Sequence, residues 1–180
     1  MKDRKLASRY AGALLSVFPD PAQAEPTDDF LTEIALAMEQ SDELRDILLD
    51  PAHPRTARIG VLHAMAEKRG MPRQVLNFLS TIINHNRGGA IPAIAEVFHE
   101  EREKAMGIVP AEITTAAPLS EPLKERAQST VEKLTGKKVR LTCQVEPELL
   151  GGAVTKIGSK VYDGSLRSQL DKLRRRMSEE

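Results

Sequence analysis

The residues that could do chemistry in this chain are few, and their spacing assembles no reaction. Histidines stand at His53, His63, His85 and His99. None is four residues from another, the spacing that sets two imidazoles on one helix face around zinc. Cys143 is the single cysteine, so a second thiolate is lacking and no internal disulfide can form. It falls on the apolar side of an alternating stretch and reads as a packed thiol rather than a nucleophile. Thr135-Gly136-Lys137-Lys138 resembles a phosphate loop only at its Gly-Lys pair. That loop needs a Gly where Val131 stands and a Ser or Thr where Lys138 stands. Gly151, Gly152 and Gly158 lack the dinucleotide spacing and lead into a strand rather than a helix. Glu100, Glu101 and Glu103, interleaved with Arg102 and Lys104, read as a solvated helical face. The basic run Lys172 to Arg176 either complements the negative end of a helix or meets an acidic partner helix. The expectation is a protein that is not an enzyme, with no cofactor and no metal.

Composition narrows the partners. Basic and acidic residues balance at 26 each, and aromatic residues are 3% with no Trp. A dedicated nucleic-acid binder needs a basic excess and stacking platforms, and neither is present. No run approaches the roughly 20 apolar residues of a membrane span. The opening MKDRKLASRY has neither a secretory h-region nor a transit-peptide character. The lone cysteine fits a reducing compartment. Membrane association is expected only through a partner.

The elements follow from apolar periodicity. A first helix is expected over 3–18 on Leu6, Tyr10, Leu14, Val17 and Phe18, widened by Ala7, Ala11 and Ala13, with Pro19 to Pro21 stopping it. A second runs over 27–40 on Leu31, Ile34, Ala35 and Met38. Ser41 caps a third carrying Leu44, Ile47 and Leu48. A fourth over 54–69 turns Ala57, Val61, Ala64 and Met65 inward. A fifth starts near Pro72, buries Val75, Leu76, Leu79, Ile82 and Ile83, and ends at Gly88-Gly89. A sixth spans 91–106 on Ile94, Ala95, Phe98 and Ala105. Short helices on short connections predict an antiparallel bundle.

Near Gly107 the period changes. Val109, Ala111, Ile113 and Thr115 alternate as a strand. Ser120 caps a helix carrying Leu123, Ala127, Val131 and Leu134 and closed by Gly136. Val139, Leu141, Cys143 and Val145 make a second strand, and strand, helix, strand suggests a βαβ crossover. Two short strands within 153–162 turn at Gly158-Ser159. Ser165 then starts a helix seamed by Leu166, Leu170, Leu173 and Met177, with Arg167, Lys172, Arg174 and Arg176 opposite. The fold class is α+β in two domains: a six-helix antiparallel bundle over 1–106, then a small α+β domain over 107–180.

The segment GGAVTKIGSKVYDGSLR, Gly151 to Arg167, resembles the C-terminal signature of the F-type ATP synthase delta subunit family, called OSCP in mitochondria. Other stretches resemble that family in order along the chain. They are Ser8-Arg9-Tyr10-Ala11-Gly12-Ala13-Leu14, Asn86-Arg87-Gly88, Ala117-Pro118-Leu119-Ser120, Thr135-Gly136-Lys137-Lys138-Val139 and Val145-Glu146-Pro147-Glu148-Leu149-Leu150. Ser159 and Glu146 stand where the family usually has Asp, and Leu149-Leu150 where Leu-Ile is common.

The resemblance implies a non-catalytic subunit of the peripheral stalk. It would join the catalytic head to the membrane-anchored b stalk and resist rotor torque, coupling proton translocation to ATP synthesis. The helical domain would bind N-terminal segments of the alpha subunits, in a groove between the first and fifth helices. That directs attention to Tyr10, Ala13, Leu14, Asn77 and Thr81. The second domain would engage the C-terminal ends of the b or b' subunits, with Arg167, Lys172 and Arg174 as its candidate contacts. The expected location is peripheral, on the cytoplasmic face of the bacterial inner membrane or another energy-transducing membrane. Against this stand a free-standing adaptor for helical peptides and a small nucleotide-binding enzyme.

Overall fold

Ala7, Ala11 and Leu14 recur at steps of four and three, and they are the residues that α1 (Lys2–Leu15) buries. In the computed structural model, residues 2–147, 149, 151–158, 160–168 and 170 are described, the first two of them by backbone alone. The described residues form seven α-helices, two 3-10 turns and four strands, and a further helical stretch begins at Leu166. The chain divides into two compact units, Met1–Met106 and Gly107–Glu180.

The first unit carries six α-helices. The small Ala7 and Ala11 let α1 lie close along α6 (Ile91–Ala105), in a core shared with Ile94 and Phe98. α1 stops at Leu15, earlier than its apolar stripe suggests, because the chain tightens: Val17 and Phe18 donate to Leu14 O and Leu15 O. Asp20 then accepts from Ala22 N at 2.9 Å, capping a 3-10 turn over Pro21–Ala24 that leads directly into α2 (Glu25–Gln40). α2 buries Phe30, Leu31, Ile34 and Met38. Burial of side chains this size contributes about 1.5–3 kcal/mol each. Ser41 caps α3 (Asp42–Leu49) as expected, its hydroxyl accepting from Leu44 N at 3.2 Å.

α4 (Arg55–Lys68) is rotated from the expected face. Ala57 and Ala64 are exposed, and Arg58, Leu62 and Ala66 point inward. The reason is Arg58, a charged side chain that is 2% exposed. Its Nε and Nη2 donate to Leu48 O at 3.1 and 2.5 Å. That carbonyl lies in the last turn of α3, where no helical N–H remains to satisfy it. Nη1 reaches Asn86 Oδ1 at 3.4 Å.

α5 (Arg73–Asn84) buries Val75, Leu79, Ile82 and Ile83. Its end is made earlier than Gly88-Gly89, by Asn86 at φ 54°, while Arg87 N returns to Ile82 O at 3.0 Å. Asn accepts that left-handed geometry better than most non-Gly residues. Gly88 serves a different need. A Cβ there would stand 2.7 Å from Leu48 O, so the turn after α5 can close on the end of α3 only with glycine.

The second unit is a sheet in the order β2-β1-β3-β4. β1 (Val109–Thr115) and β2 (Val139–Val145) are parallel, Val109 opposite Val139 and Thr115 opposite Val145, and α7 (Glu121–Thr135) makes the crossover that parallel neighbours require. β3 (Ala153–Ile157) runs antiparallel to β1, and β4 (Lys160–Asp163) antiparallel to β3. Ser120 occupies the N-cap of α7 without a side-chain cap bond, unlike the expectation. α7 is instead tied to β2: Gln128 Nε2 donates to Val139 O at 3.0 Å, and Val139 N donates to Glu132 Oε1 at 3.2 Å. Thr135, next to the helix end, donates its hydroxyl to Val131 O at 2.9 Å.

The paired glycines are a packing device. A Cβ on Gly152 would lie 2.5 Å from Gly164 O, and one on Gly151 2.7 Å from Leu166 Cδ1. Gly164 N donates to Ala153 O and Leu166 N to Gly151 O, both at 3.0 Å. Ser165 Oγ then accepts from Ser168 N at 3.2 Å as the cap of the helical stretch.

Arg58→Met should lower the stability of the helical unit by about 2–3 kcal/mol, because it leaves the buried Leu48 carbonyl without a donor. Gly88→Ala should cost about 1–3 kcal/mol through the clash with the same oxygen. Urea denaturation followed by far-UV circular dichroism measures both.

Candidate functional site

The sequence candidates of the helical unit lie on two helices, α1 and α5, and the structure joins those helices at one aromatic contact. Tyr10 and Phe78 meet edge to face, with centroids 6.1 Å apart and planes at 70°. Arg87 Nη1 donates to the Tyr10 hydroxyl at 2.7 Å, and its Cζ sits 5.6 Å from the Tyr10 ring centroid. Both contacts suit an aromatic ring with a polar tip. Around this contact Ala13, Asn77 and Thr81 are exposed and Tyr10 is half-buried. Asn77 and Thr81 are four residues apart, off the buried stripe of α5. The Thr81 hydroxyl donates to Asn77 O at 2.8 Å. Leu14 is placed differently: it is 2% exposed and belongs to the core, so it supports the α1 wall from behind. Phe78 completes the wall of α5. The sequence signal for it was faint, a lone aromatic one position from the predicted inner stripe.

A second polar cluster lies between α2 and α6. Asp28, with a side chain 1% exposed, accepts from Arg102 Nε at 2.8 Å. His99 Nδ1 is 2.8 Å from the same Asp28 oxygen, and His99 Nε2 is 3.3 Å from Glu103 Oε1. Arg102 and Glu103 are therefore buried, which corrects the reading of this stretch as a solvated face. Alternating charges on a helix conceal such a cluster, because the partner Asp28 is more than seventy residues away. The cluster holds two helices together and has no nucleophile; among the described residues Asp28 Oδ1 is buried without a hydrogen-bond partner. His63 links α4 to α5 instead, its Nε2 2.8 Å from Ser80 Oγ and 3.1 Å from Leu76 O. The perturbed titrations belong to surface pairs. Donating a hydrogen bond to the Glu33 carboxylate raises the Arg69 guanidinium above its ordinary range, and donating one to Glu121 raises Lys124. Among the described residues no group of three or more His, Cys, Asp or Glu is placed to hold a metal.

The second unit has a small core and a large apolar exterior. Ala111, Val131, Val139 and Ile157 are its buried cluster. Leu134 and Leu170 are 67% and 61% exposed, and Leu123, Val145, Val161, Tyr162 and Leu166 are also exposed. α7 thus buries only part of its predicted stripe. Arg167 is exposed beside Leu166, while the candidates Lys172 and Arg174 lie outside the described residues. No helix among the described residues is long and apolar enough to cross a membrane.

Comparison with known proteins agrees along nearly the whole length. Residues 6–177 match the family "ATP synthase delta (OSCP) subunit". ATP synthase subunit delta of Myxococcus xanthus (strain DK1622) is 33% identical, covering 99% of this chain and all of the relative. The protein of the same name from Desulfotalea psychrophila is 35% identical over 94% of each chain. A chain in the cryo-EM structure of the Toxoplasma gondii mitochondrial ATP synthase hexamer shares the fold. It has a TM-score of 0.62 and 23% identity over 96% of this chain and 97% of that one.

Asp28→Ala should cost about 3–5 kcal/mol, because it leaves the buried Arg102 guanidinium without its counter-charge. Asp28→Leu combined with Arg102→Met should recover most of that loss. Chemical denaturation of the two variants against the parent checks the pair.

Proposed function

The chain belongs to the ATP synthase delta (OSCP) subunit family, and we propose on that basis that its two units tie the catalytic head of the synthase to the stalk rising from the membrane. It is a structural subunit of the peripheral stalk and not the catalytic one. The six N-terminal helices form an antiparallel bundle that takes an N-terminal segment of an alpha subunit in the cleft between α1 and α5. Tyr10, Ala13, Asn77 and Thr81 line it, and Leu14 backs it. The second unit takes the C-terminal end of a b or b' subunit, with Arg167, Lys172 and Arg174 as its candidate contacts. The protein lies peripherally, on the cytoplasmic face of the bacterial inner membrane or the matching face of another energy-transducing membrane.

One observation carries this reading: the apolar surface is unevenly distributed. The helical unit closes its core and leaves Tyr10 and Phe78 half-buried in edge-to-face contact between α1 and α5. The second unit leaves Leu123, Leu134, Val161, Tyr162, Leu166 and Leu170 exposed around a small core. Exposed apolar residues in such number mark contact surfaces, and both surfaces suit an amphipathic helix laid in a groove. Two modules holding two parts of one complex also gain avidity, because the first contact raises the effective concentration of the second to about the mM range.

The test is reconstitution. The purified chain should hydrolyse no ATP alone, and it should restore ATP-driven proton pumping to membranes stripped of their own delta subunit. Correctly folded protein that restores nothing overturns the proposal. Leu134→Asp should abolish binding of a peptide taken from the C-terminal end of the b stalk helix, measured by titration calorimetry, while leaving alpha-peptide binding intact.

A further inference from the structure

We propose that the surface cavity lined by α2 and by His99 of α6 binds an alkylammonium group, the chemistry shared by a lysine side chain and a free aliphatic amine, and that Asp28 Oδ1 is the acceptor that receives it.

Asp28, Asp29, Thr32, Glu33 and Leu36 of α2 line this cavity of about 610 Å³ together with His99. The Asp28 side chain is 1% exposed, and its two oxygens are served unequally. Oδ2 accepts from Arg102 Nε at 2.8 Å and lies 2.8 Å from His99 Nδ1. Oδ1 is buried, and among the described residues no group donates to it. A buried carboxylate oxygen without a donor is costly and calls for an explanation. Asp28 is itself a lining residue, so the cavity is the route by which a donor arrives. The surroundings select the class of that donor. No Lys or Arg lines the cavity. The carboxylates of the region, Asp28, Asp29, Glu33 and Glu103, outnumber the guanidiniums, Arg102 on Asp28 and Arg69 on Glu33, with His99 set between Asp28 and Glu103. Such a balance repels anions and attracts a cation. Among the described residues no cluster of His, Cys, Asp or Glu is placed to hold a metal ion. A second guanidinium could not close its fork on both Asp28 oxygens, because Arg102 already holds Oδ2. A single free oxygen suits an ammonium, a compact charge with three donors. Asp29 and the Thr32 hydroxyl, on the same wall, are acceptors for the remaining N–H groups. Asp28, Thr32 and Leu36 follow one another at four-residue steps along one face of α2. Leu36 is 49% exposed, and it gives that face an apolar end on which a methylene stem packs. Arg102 and His99 fix the carboxylate from behind, which limits the ordering cost of the contact.

The measurement is titration of the full-length chain with n-pentylammonium chloride, followed residue by residue in amide and methyl NMR spectra. Saturable shifts should appear at Asp28, Thr32 and Leu36 in about the mM range, as befits so small a ligand. The uncharged 1-pentanol, and pentyltrimethylammonium, which has no N–H, should each bind about tenfold more weakly or worse. Asp28→Asn should weaken pentylammonium binding about tenfold, with the remaining amide spectrum showing that the fold is kept. Thr32→Phe, at an exposed position, should obstruct the cavity without touching the Asp28–Arg102 pair and should abolish the shifts. Nα-acetyl-lysine N-methylamide as the second probe separates the two sources. Binding as tight as that of pentylammonium assigns the site to a lysine of a partner protein, and binding about tenfold weaker assigns it to a free amine. Absence of saturable shifts with both probes would overturn the proposal and leave a buried water as the partner of Oδ1. So would equal binding of 1-pentanol, or parent-like binding by both Asp28→Asn and Thr32→Phe.

Discussion

A guanidinium taken out of water must find acceptors for its donors, and in the helical unit the acceptor is the unpaired end of a helix. Arg58 reaches across to Leu48 O with two N–H groups and toward Asn86 Oδ1 with a third. The last carbonyls of α3 lack helical donors, so each partner satisfies what the other cannot satisfy alone. The effect spreads beyond the pair. Because Leu48 O is held there, the turn after α5 must pass close to it, which excludes any side chain at Gly88. Because Asn86 turns the chain at positive φ, Arg87 emerges beside Tyr10 and not along the axis of α5. The place of Arg87 beside Tyr10 is thus set in part by a buried charge on a different helix.

Most of this architecture was legible as periodicity. α2, α3 and α5 bury nearly the residues that a 3.6-residue repeat selects, and Ser41 caps α3 as its type suggests. β1 and β2 alternate as read except at Val145, which is exposed, and their register puts Val109, Ala111 and Ile113 beside Val139, Leu141 and Cys143. What periodicity missed was charge facing inward. Arg58, Arg102 and Glu103 belong to residue types that usually stay in solvent; Arg58 and Arg102 are buried against partners elsewhere in the fold, and Glu103 beside His99 one turn back on α6. Asp28 is such a partner, and nothing local to Arg102 announces it. α4 was misplaced for this reason: assigning its Arg to water rotates the helix onto Ala57 and Ala64.

The candidate site was legible in part. Tyr10, Ala13, Asn77 and Thr81 were named through family likeness, and the structure places Tyr10 on the contact that joins α1 to α5. Leu14 shared the periodicity of that wall but lies in the core. Apolar spacing cannot separate a groove-lining residue from one directly beneath it. Phe78 and the Tyr10–Arg87 bond needed the tertiary arrangement. In the second unit the predicted seam of α7 is real as a pattern, yet Leu123 and Leu134 remain exposed. A periodic stripe states that a face will be covered, and it does not state by which chain.

The glycine pair at 151–152 also bears on mechanics. Between the sheet and the helical stretch at Leu166 there is no slack segment: Gly164 bonds to Ala153 O, Leu166 bonds to Gly151 O, and Gly152 lies directly against Gly164. A pull on that helix therefore reaches β3 through backbone hydrogen bonds at once, before any loop can straighten. The joint behaves as a weld rather than a tether, and stiffness at this point is a property of backbone contact that side chains larger than hydrogen would prevent.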